Sequence, residues 1–467
     1  MTQAMKQGSI YILFGALIAG TIWSGAYFPA PKWVFLTLLL AAGAWELAGQ
    51  AARRQLRLPR SPLFWLLAAG TALSAAGIIW SVSPGDTLRE SLLLLAYVAA
   101  VYVTVSRQAR DREGTRSAVT AWAVYTASFV SAWGIATYIF RSAPYTGPVD
   151  GIFRAGSTFE YSNALSCFGL MVLPLTAALW RRVSARERPL VVIAAALQVA
   201  AVCLSLSRFG AAALAVLALA LMAAGWRDRM LVATLLALTG GLAAAAAALL
   251  TAEAGQQAAG LAAVILVFTV TYVTQWVYER IGEREDAILR AARWLLPVTL
   301  VAAAGGGLAA LKLNKRVSSL ISERFVEGFS FSRIFPHRLD TYAGAADAFR
   351  ARPLAGSGLG TFAEVYQQYA LARYTKFAHN LVLQAAVETG IVGAALMVLL
   401  LAYVLLLSLW RLVKSGEGKG GAALTLRRAL ALSLLPFIAY NLFDWEWYVP
   451  ALTAWFVVLA ACLEERG

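Results

Sequence analysis

VVIAAALQVAAVCLSL, residues 191–206, runs for sixteen positions without a charge. The apolar side chains follow one another continuously. A strand of an outer-membrane barrel would instead alternate apolar and polar residues in segments of about ten. Similar runs fall at about 10–29, 32–49, 63–82, 91–106, 118–140, 162–180, 209–225, 230–250, 260–279, 294–311, 380–410, 428–443 and 449–463. Each approaches or exceeds the roughly 20 residues a helix needs to cross the hydrocarbon core. Lipid offers no partner to backbone N–H and C=O groups, so segments of this kind must be helical. With 60% hydrophobic and 14% charged residues, the chain departs far from the half and quarter of a soluble protein. That excludes a soluble enzyme carried on one anchor. The reading is an all-α integral membrane protein, a polytopic bundle of about fourteen transmembrane helices, or twelve if the Ala-rich runs between 230 and 311 do not all cross.

The charge between runs sets an orientation. Clusters such as Arg53-Arg54, Arg107-Arg110-Arg112, Arg181-Arg182-Arg186 and Arg227-Arg229 recur at alternate loops, and cytoplasmic loops carry such an excess. The alternation closes if both termini are cytoplasmic. The expected organisation is helices one to eleven over 1–311, a large outer loop at 312–378, and helices twelve to fourteen over 379–467. The first run follows Lys6 but continues to about Tyr27 with a second run directly after it, so it reads as a retained span. Cys167, Cys203 and Cys462 each lie in an apolar run and imply no disulfide framework.

The outer loop breaks the charge rule. It holds Lys312, Lys315, Arg316, Arg324, Arg333, Arg338, Arg350, Arg352, Arg373 and Lys376 against Glu323, Glu327, Asp340, Asp347 and Glu364. Orientation does not explain that excess. Either an anionic ligand does, or a long loop simply meets anionic headgroups. Within it, Leu339, Tyr342, Ala343, Ala346 and Phe349 recur on one helical face and Pro353 ends the run, which predicts a helix lying on the membrane. Gly356-Ser-Gly-Leu-Gly360 follows, more simply a tight turn than a phosphate cradle, and a second short helix is expected over Phe362–Tyr374.

Only two histidines exist, His337 and His379. His379 precedes Asn380 at the mouth of a long apolar helix, where an imidazole can face water from a rigid support. On position alone, capping is the plainer role for it. Gln384 lies deeper, and Gly390 and Gly393 are expected to admit a neighbouring helix. Arg208, in the short turn Ser205-Leu-Ser-Arg-Phe-Gly210, must snorkel or meet an anion. No carboxylate and histidine cluster suggests a metal, and Asp444-Trp-Glu446 reads as an anchor for its turn. No nucleotide-binding glycine motif is present. Most basic residues sit in short cytoplasmic loops, which leaves no case for nucleic acid.

The stretch His379-Asn380, nine residues, Gly390-Ile-Val-Gly393 resembles the signature of bacterial O-antigen ligases. Arg338 followed by a helix and Pro353-Leu-Ala-Gly-Ser-Gly-Leu-Gly360 is similar to that family's outer-loop pattern, as are Ser207-Arg208 and Phe153-Arg-Ala-Gly-Ser-Thr-Phe159 with Asn163. The resemblance implies a C-type glycosyltransferase-like bundle with a large periplasmic loop in the bacterial inner membrane. It implies transfer of O-antigen polysaccharide from undecaprenyl diphosphate to a hydroxyl of the lipid A core, inverting, with no metal and no cofactor. His379, Arg208 and Arg338 are the expected catalytic residues. Arg154, Arg333, His337, Asn380, Asn163 and Arg352 are the expected substrate-binding residues. O-antigen polymerases and protein O-oligosaccharyltransferases share similar elements. A lipid or polysaccharide transporter would show an internal repeat, and none is seen.

Overall fold

The computed structural model describes residues 3–149, 152–225, 229–251, 255–280, 336–371, 374–414 and 422–464, with isolated positions between 281 and 335. Every apolar run on those residues is a helix. In order these are α1 (Gln3–Ile22), α2 (Pro29–Ala52), α3 (Pro62–Gly77), α4 (Pro84–Gln108), α5 (Arg112–Ile139), α6 (Ser162–Arg182), α7 (Arg188–Leu204), α8 (Arg208–Gly225), α9 (Met230–Leu250) and α10 (Gln257–Arg280). Then come α11 (Pro336–Ala351), α12 (Phe362–Tyr366), α13 (Leu381–Lys414), α14 (Ala422–Asn441) and α15 (Pro450–Leu463). The expected run at 294–311 lies outside the described residues. Among them, eight helices are long and apolar enough to cross a membrane, and four shorter apolar helices accompany them. The chain is an all-α polytopic membrane protein.

Local chemistry fixes where the helices begin. Proline occupies the first turn of α2, α3, α4, α7 and α15, where its locked φ is helical and its missing N–H would have had no partner anyway. Ser61 caps α3 by accepting from the backbone N–H of Phe64.

The chain forms two compact units. One comprises Met1–Val119, Phe331–Gly418 and Leu430–Gly467. Its hub is α15, buried along its whole length. A helix apolar on all sides needs neighbours on all sides, and α15 packs against α1 and α4. Trp455 Nε1 donates to Thr21 Oγ1 at 3.0 Å. Gln108 and Arg116 donate to the carbonyls of Ala461 and Cys462, supplying the partners that the last turn of a helix lacks.

The second unit comprises Thr120–Ser330 and Lys419–Ala429. Here α7 is central, packed by α6, α9 and α10. Small residues bring the helices close: a Cβ added at Gly241 would meet Val199 at 2.6 Å. The antiparallel hairpin Thr146–Val149 with Ile152–Ala155 joins α5 to α6 and sets Gly147 opposite Arg154.

α11 ends at Ala351, before Pro353, and packs through Thr341, Gly344, Ala345 and Ala348, while Leu339 is 53% exposed. The buried face is chosen by size: a Cβ at Gly344 would stand 2.4 Å from the carbonyl oxygen of Tyr369, so only a small-residue stripe fits. The following helix spans Phe362–Tyr366 and not Phe362–Tyr374. Gln368 and Tyr369 bond back to Val365 and Tyr366, three residues earlier, and this tighter pattern closes it.

Candidate active site

In the first unit, the site is built around a break in α13. Gly390 sits at φ 68°, ψ −169°, a conformation open essentially to glycine alone. The freed backbone groups find partners in the segment Pro353–Gly358. Ser357 N–H donates to Val387 C=O, Gly358 N–H to Glu388 C=O, and Ile391 N–H to Pro353 C=O. Gly390 therefore admits a loop where a helix was expected. A Cβ there would lie 2.1 Å from the Leu354 carbonyl oxygen.

The buried Glu388 carboxylate closes the same junction. It accepts from the N–H groups of Gly360 (3.0 Å) and Phe362 (3.2 Å), from Gln384 Nε2 (3.0 Å) and from Tyr448 Oη (3.3 Å). The glycine-rich turn thus directs these amides at a carboxylate of its own chain, which makes it a structural clamp and not a phosphate cradle.

His379 stands at the mouth of α13 with φ 53°, a costly conformation for a residue with a side chain. Three contacts hold it there. Ala378 N–H donates to Gln384 Oε1 at 3.0 Å, Tyr342 Oη donates to the His379 carbonyl at 3.1 Å, and His379 Nδ1 lies 2.9 Å from Asp444 Oδ1. Capping of α13 falls to Asn380, whose Oδ1 accepts from Leu383 N–H while its Nδ2 donates to the Leu442 carbonyl. A carboxylate accepts only, so Nδ1 carries the proton, which in the neutral ring puts the lone pair on Nε2. The imidazole is 27% exposed and the Asp444 side chain 4%.

Arg338 lies on α11 one turn before Tyr342. Burial raises the Tyr342 hydroxyl above its usual range, with Arg338 opposing and Asp444 reinforcing. Glu446 is fully buried, and neither carboxylate oxygen has a hydrogen-bond partner among the described residues. Burial and then Asp444 push it well above the carboxylate range, against the pull of Arg338. Arg338, Tyr342, His379, Asp444 and Glu446 thus form one electrostatic cluster.

In the second unit, Arg154, Asn163 and Arg208 gather at the turn between α7 and α8. Arg154 is 4% exposed. Its Nε donates to the Ser205 carbonyl at 2.7 Å and its Nη2 to Asn163 Oδ1 at 2.8 Å. Arg208 opens α8, and Ser207 Oγ before it accepts from Gly210 N–H. Arg141 is stacked 3.9 Å over Phe153 on the hairpin.

Of the remaining expected residues, Arg352 is exposed at the end of α11, His337 is on the first turn of that helix, and Arg333 lies outside the described residues. Sequence reasoning missed Asp444 as a partner of His379. Its signal was the outward acidic pair with Glu446, but the partner is 65 residues away in the chain. Tyr342 was read only as part of an apolar face.

No curated protein matches the chain. Residues 240–398 match the family model described as O-Antigen ligase, a stretch that includes α11, the glycine turn and His379-Asn380. The match supports assignment to the O-antigen ligase/polymerase superfamily over that part of the chain.

Proposed function

We propose that this protein is an O-antigen ligase, moving O-antigen polysaccharide from undecaprenyl diphosphate to a hydroxyl of the lipid A core. The active site faces the periplasm, both termini are cytoplasmic, and residues 312–378 form the outer loop of an inner-membrane enzyme. The observation that supports this most is His379 Nδ1 at 2.9 Å from Asp444 Oδ1. A base oriented by a carboxylate and left with a free lone pair on Nε2 suits proton removal from an acceptor hydroxyl, a contribution of about a hundredfold to ten-thousandfold.

The attack breaks the bond from the anomeric carbon to diphosphate, and negative charge grows on the leaving oxygen. Arg338 and Arg208 are the residues assigned to that charge, since a planar guanidinium donates two parallel hydrogen bonds to phosphate oxygens. Fixed donors of this kind stabilise the transition state by several kcal/mol. Asn380, Arg154, Asn163, Arg333, His337 and Arg352 are assigned to substrate binding. Diphosphate is already an activated leaving group that arginines can neutralise, so the reaction requires no metal or cofactor.

The test is substitution of His379 by Ala in cells that make O-antigen. Lipid-linked polymer should accumulate while lipopolysaccharide stays short. Normal long lipopolysaccharide at normal protein level would defeat the proposal. A polymerase or a protein O-oligosaccharyltransferase shares this residue chemistry and is separated by product: growth of the lipid-linked polymer itself, or glycan on a pilin.

A further inference from the structure

The backbone of His379, at φ 53°, lies where a residue with a side chain stays only if its surroundings impose it. What imposes it can be followed inward from the neighbouring residue. Ala378 is completely buried, and its N–H donates to Gln384 Oε1 at 3.0 Å. A backbone N–H can only donate, so this contact decides which way the Gln384 amide faces. Its Nε2 is thereby aimed at Glu388, one turn further along α13, and donates to Oε1 of that carboxylate at 3.0 Å.

Glu388 in turn is fixed by groups that give protons. The N–H groups of Gly360 and Phe362 belong to the backbone and cannot turn round. Gln384 cannot turn either without setting its own NH2 against the Ala378 N–H. Tyr448 Oη is the fourth donor, at 3.3 Å, and it carries the line to the other half of the pair. Its ring lies 5.1 Å from that of Phe377, which stacks on Trp445 at 4.5 Å with the planes 10° apart. Trp445 follows Asp444 directly in the chain. His379 and Asp444 are 65 residues apart, yet the segments that carry them are both tied back to one buried carboxylate.

We propose that Gln384 and Glu388 are positioning residues for His379. The pair passes a fixed hydrogen-bond direction from the glycine turn to the Ala378 N–H, and so holds the imidazole against Asp444. Both side chains are buried and act through the backbone. The glycine turn gains a task in the reaction, because Gly360 and Phe362 set the carboxylate that sets Gln384. The proposal rests on the reading of His379 as the base that takes the acceptor's proton.

Gln384→Leu removes the acceptor with little change of volume and leaves the buried Ala378 N–H unpaired. Turnover of lipid-linked glycan by the purified full chain should fall about tenfold to a hundredfold, the cost of a slightly misplaced base. KM for the donor should stay within about threefold of the parent value. Exchanging the two residues, Gln384→Glu with Glu388→Gln, rebuilds the line: the new carboxylate accepts from Ala378 and from the new amide, whose oxygen still faces Gly360 and Tyr448. This double variant should return to within about threefold of parent turnover. Thr21→Val deprives Trp455 Nε1 of its acceptor in the same unit and controls for lost stability, since its Tm should fall and its turnover should not. A second readout needs no catalysis. His337 and His379 are the only two imidazoles, so nitrogen NMR of isotope-labelled, untagged protein carrying His337→Gln reports His379 alone. One tautomer, with the proton on Nδ1, is expected, and a mixture of both when Gln384→Leu is added. An unchanged spectrum would overturn the proposal whatever the turnover. So would parent-like turnover of Gln384→Leu, a double variant no better than Gln384→Leu, or an equal loss in Thr21→Val. If the parent transfers no glycan while the spectrum responds to Gln384→Leu, the positioning stands and the reading of His379 as the catalytic base falls.

Discussion

The Cα of Gly390 faces the carbonyl oxygen of Leu354 so closely that a Cβ would lie 2.1 Å from it. The apposition lets a glycine-rich loop replace the hydrogen bonds that α13 loses at its break. It thereby fixes the mouth of that helix, where His379 and Asn380 stand. Gly390→Ala faces both a clash with backbone and a φ of 68°. It should destabilise the protein by at least about 3 kcal/mol, read as a lowered Tm in detergent. An unchanged Tm would mean that the break is not a fixed feature of the fold.

Asp444→Asn keeps the shape of the side chain but lets Nδ1 of His379 act as acceptor, which favours the wrong tautomer. Turnover should fall by about a hundredfold or more. The pH profile of the residual activity should shift, with protein level unchanged. Parent-like turnover would remove Asp444 from the account.

Arg338→Lys and Arg208→Lys preserve charge and lose the planar fork. Each should lower kcat by about tenfold or more, with Ala worse than Lys at both positions. Full tolerance of Lys at both would show that charge alone matters there.

Glu446 supplies a pH test. Its carboxyl lies well above the ordinary value of 4.5, owing first to burial and then to Asp444, with Arg338 opposing. The folded state thus holds a proton that the unfolded chain releases. Stability from this group is complete below about 4.5 and is lost as the pH rises above that value. The parent Tm should fall relative to that of Glu446→Gln as pH is raised from about 5 to 8. Parallel curves would indicate that Glu446 is ionised in the folded protein.

The spans were legible because lipid demands one thing of a segment, a long run without charge, and that demand is written locally. The break at Gly390 was not, since a glycine in an apolar run reads the same whether the helix continues or parts. The face of α11 that packs on the protein was not legible either, because close backbone approach at Gly344 selects small residues there. His379 was visible as one of two histidines. Asp444 became its partner only through the packing of α13 against the turn after α14.

The most direct measurement uses purified protein given undecaprenyl diphosphate-linked O-antigen and core lipid. The parent chain should attach glycan to the core lipid and release undecaprenyl diphosphate, while His379→Ala, folded to the same Tm, should lose all but about one part in a hundred of that turnover. Equal product from the two proteins would contradict it.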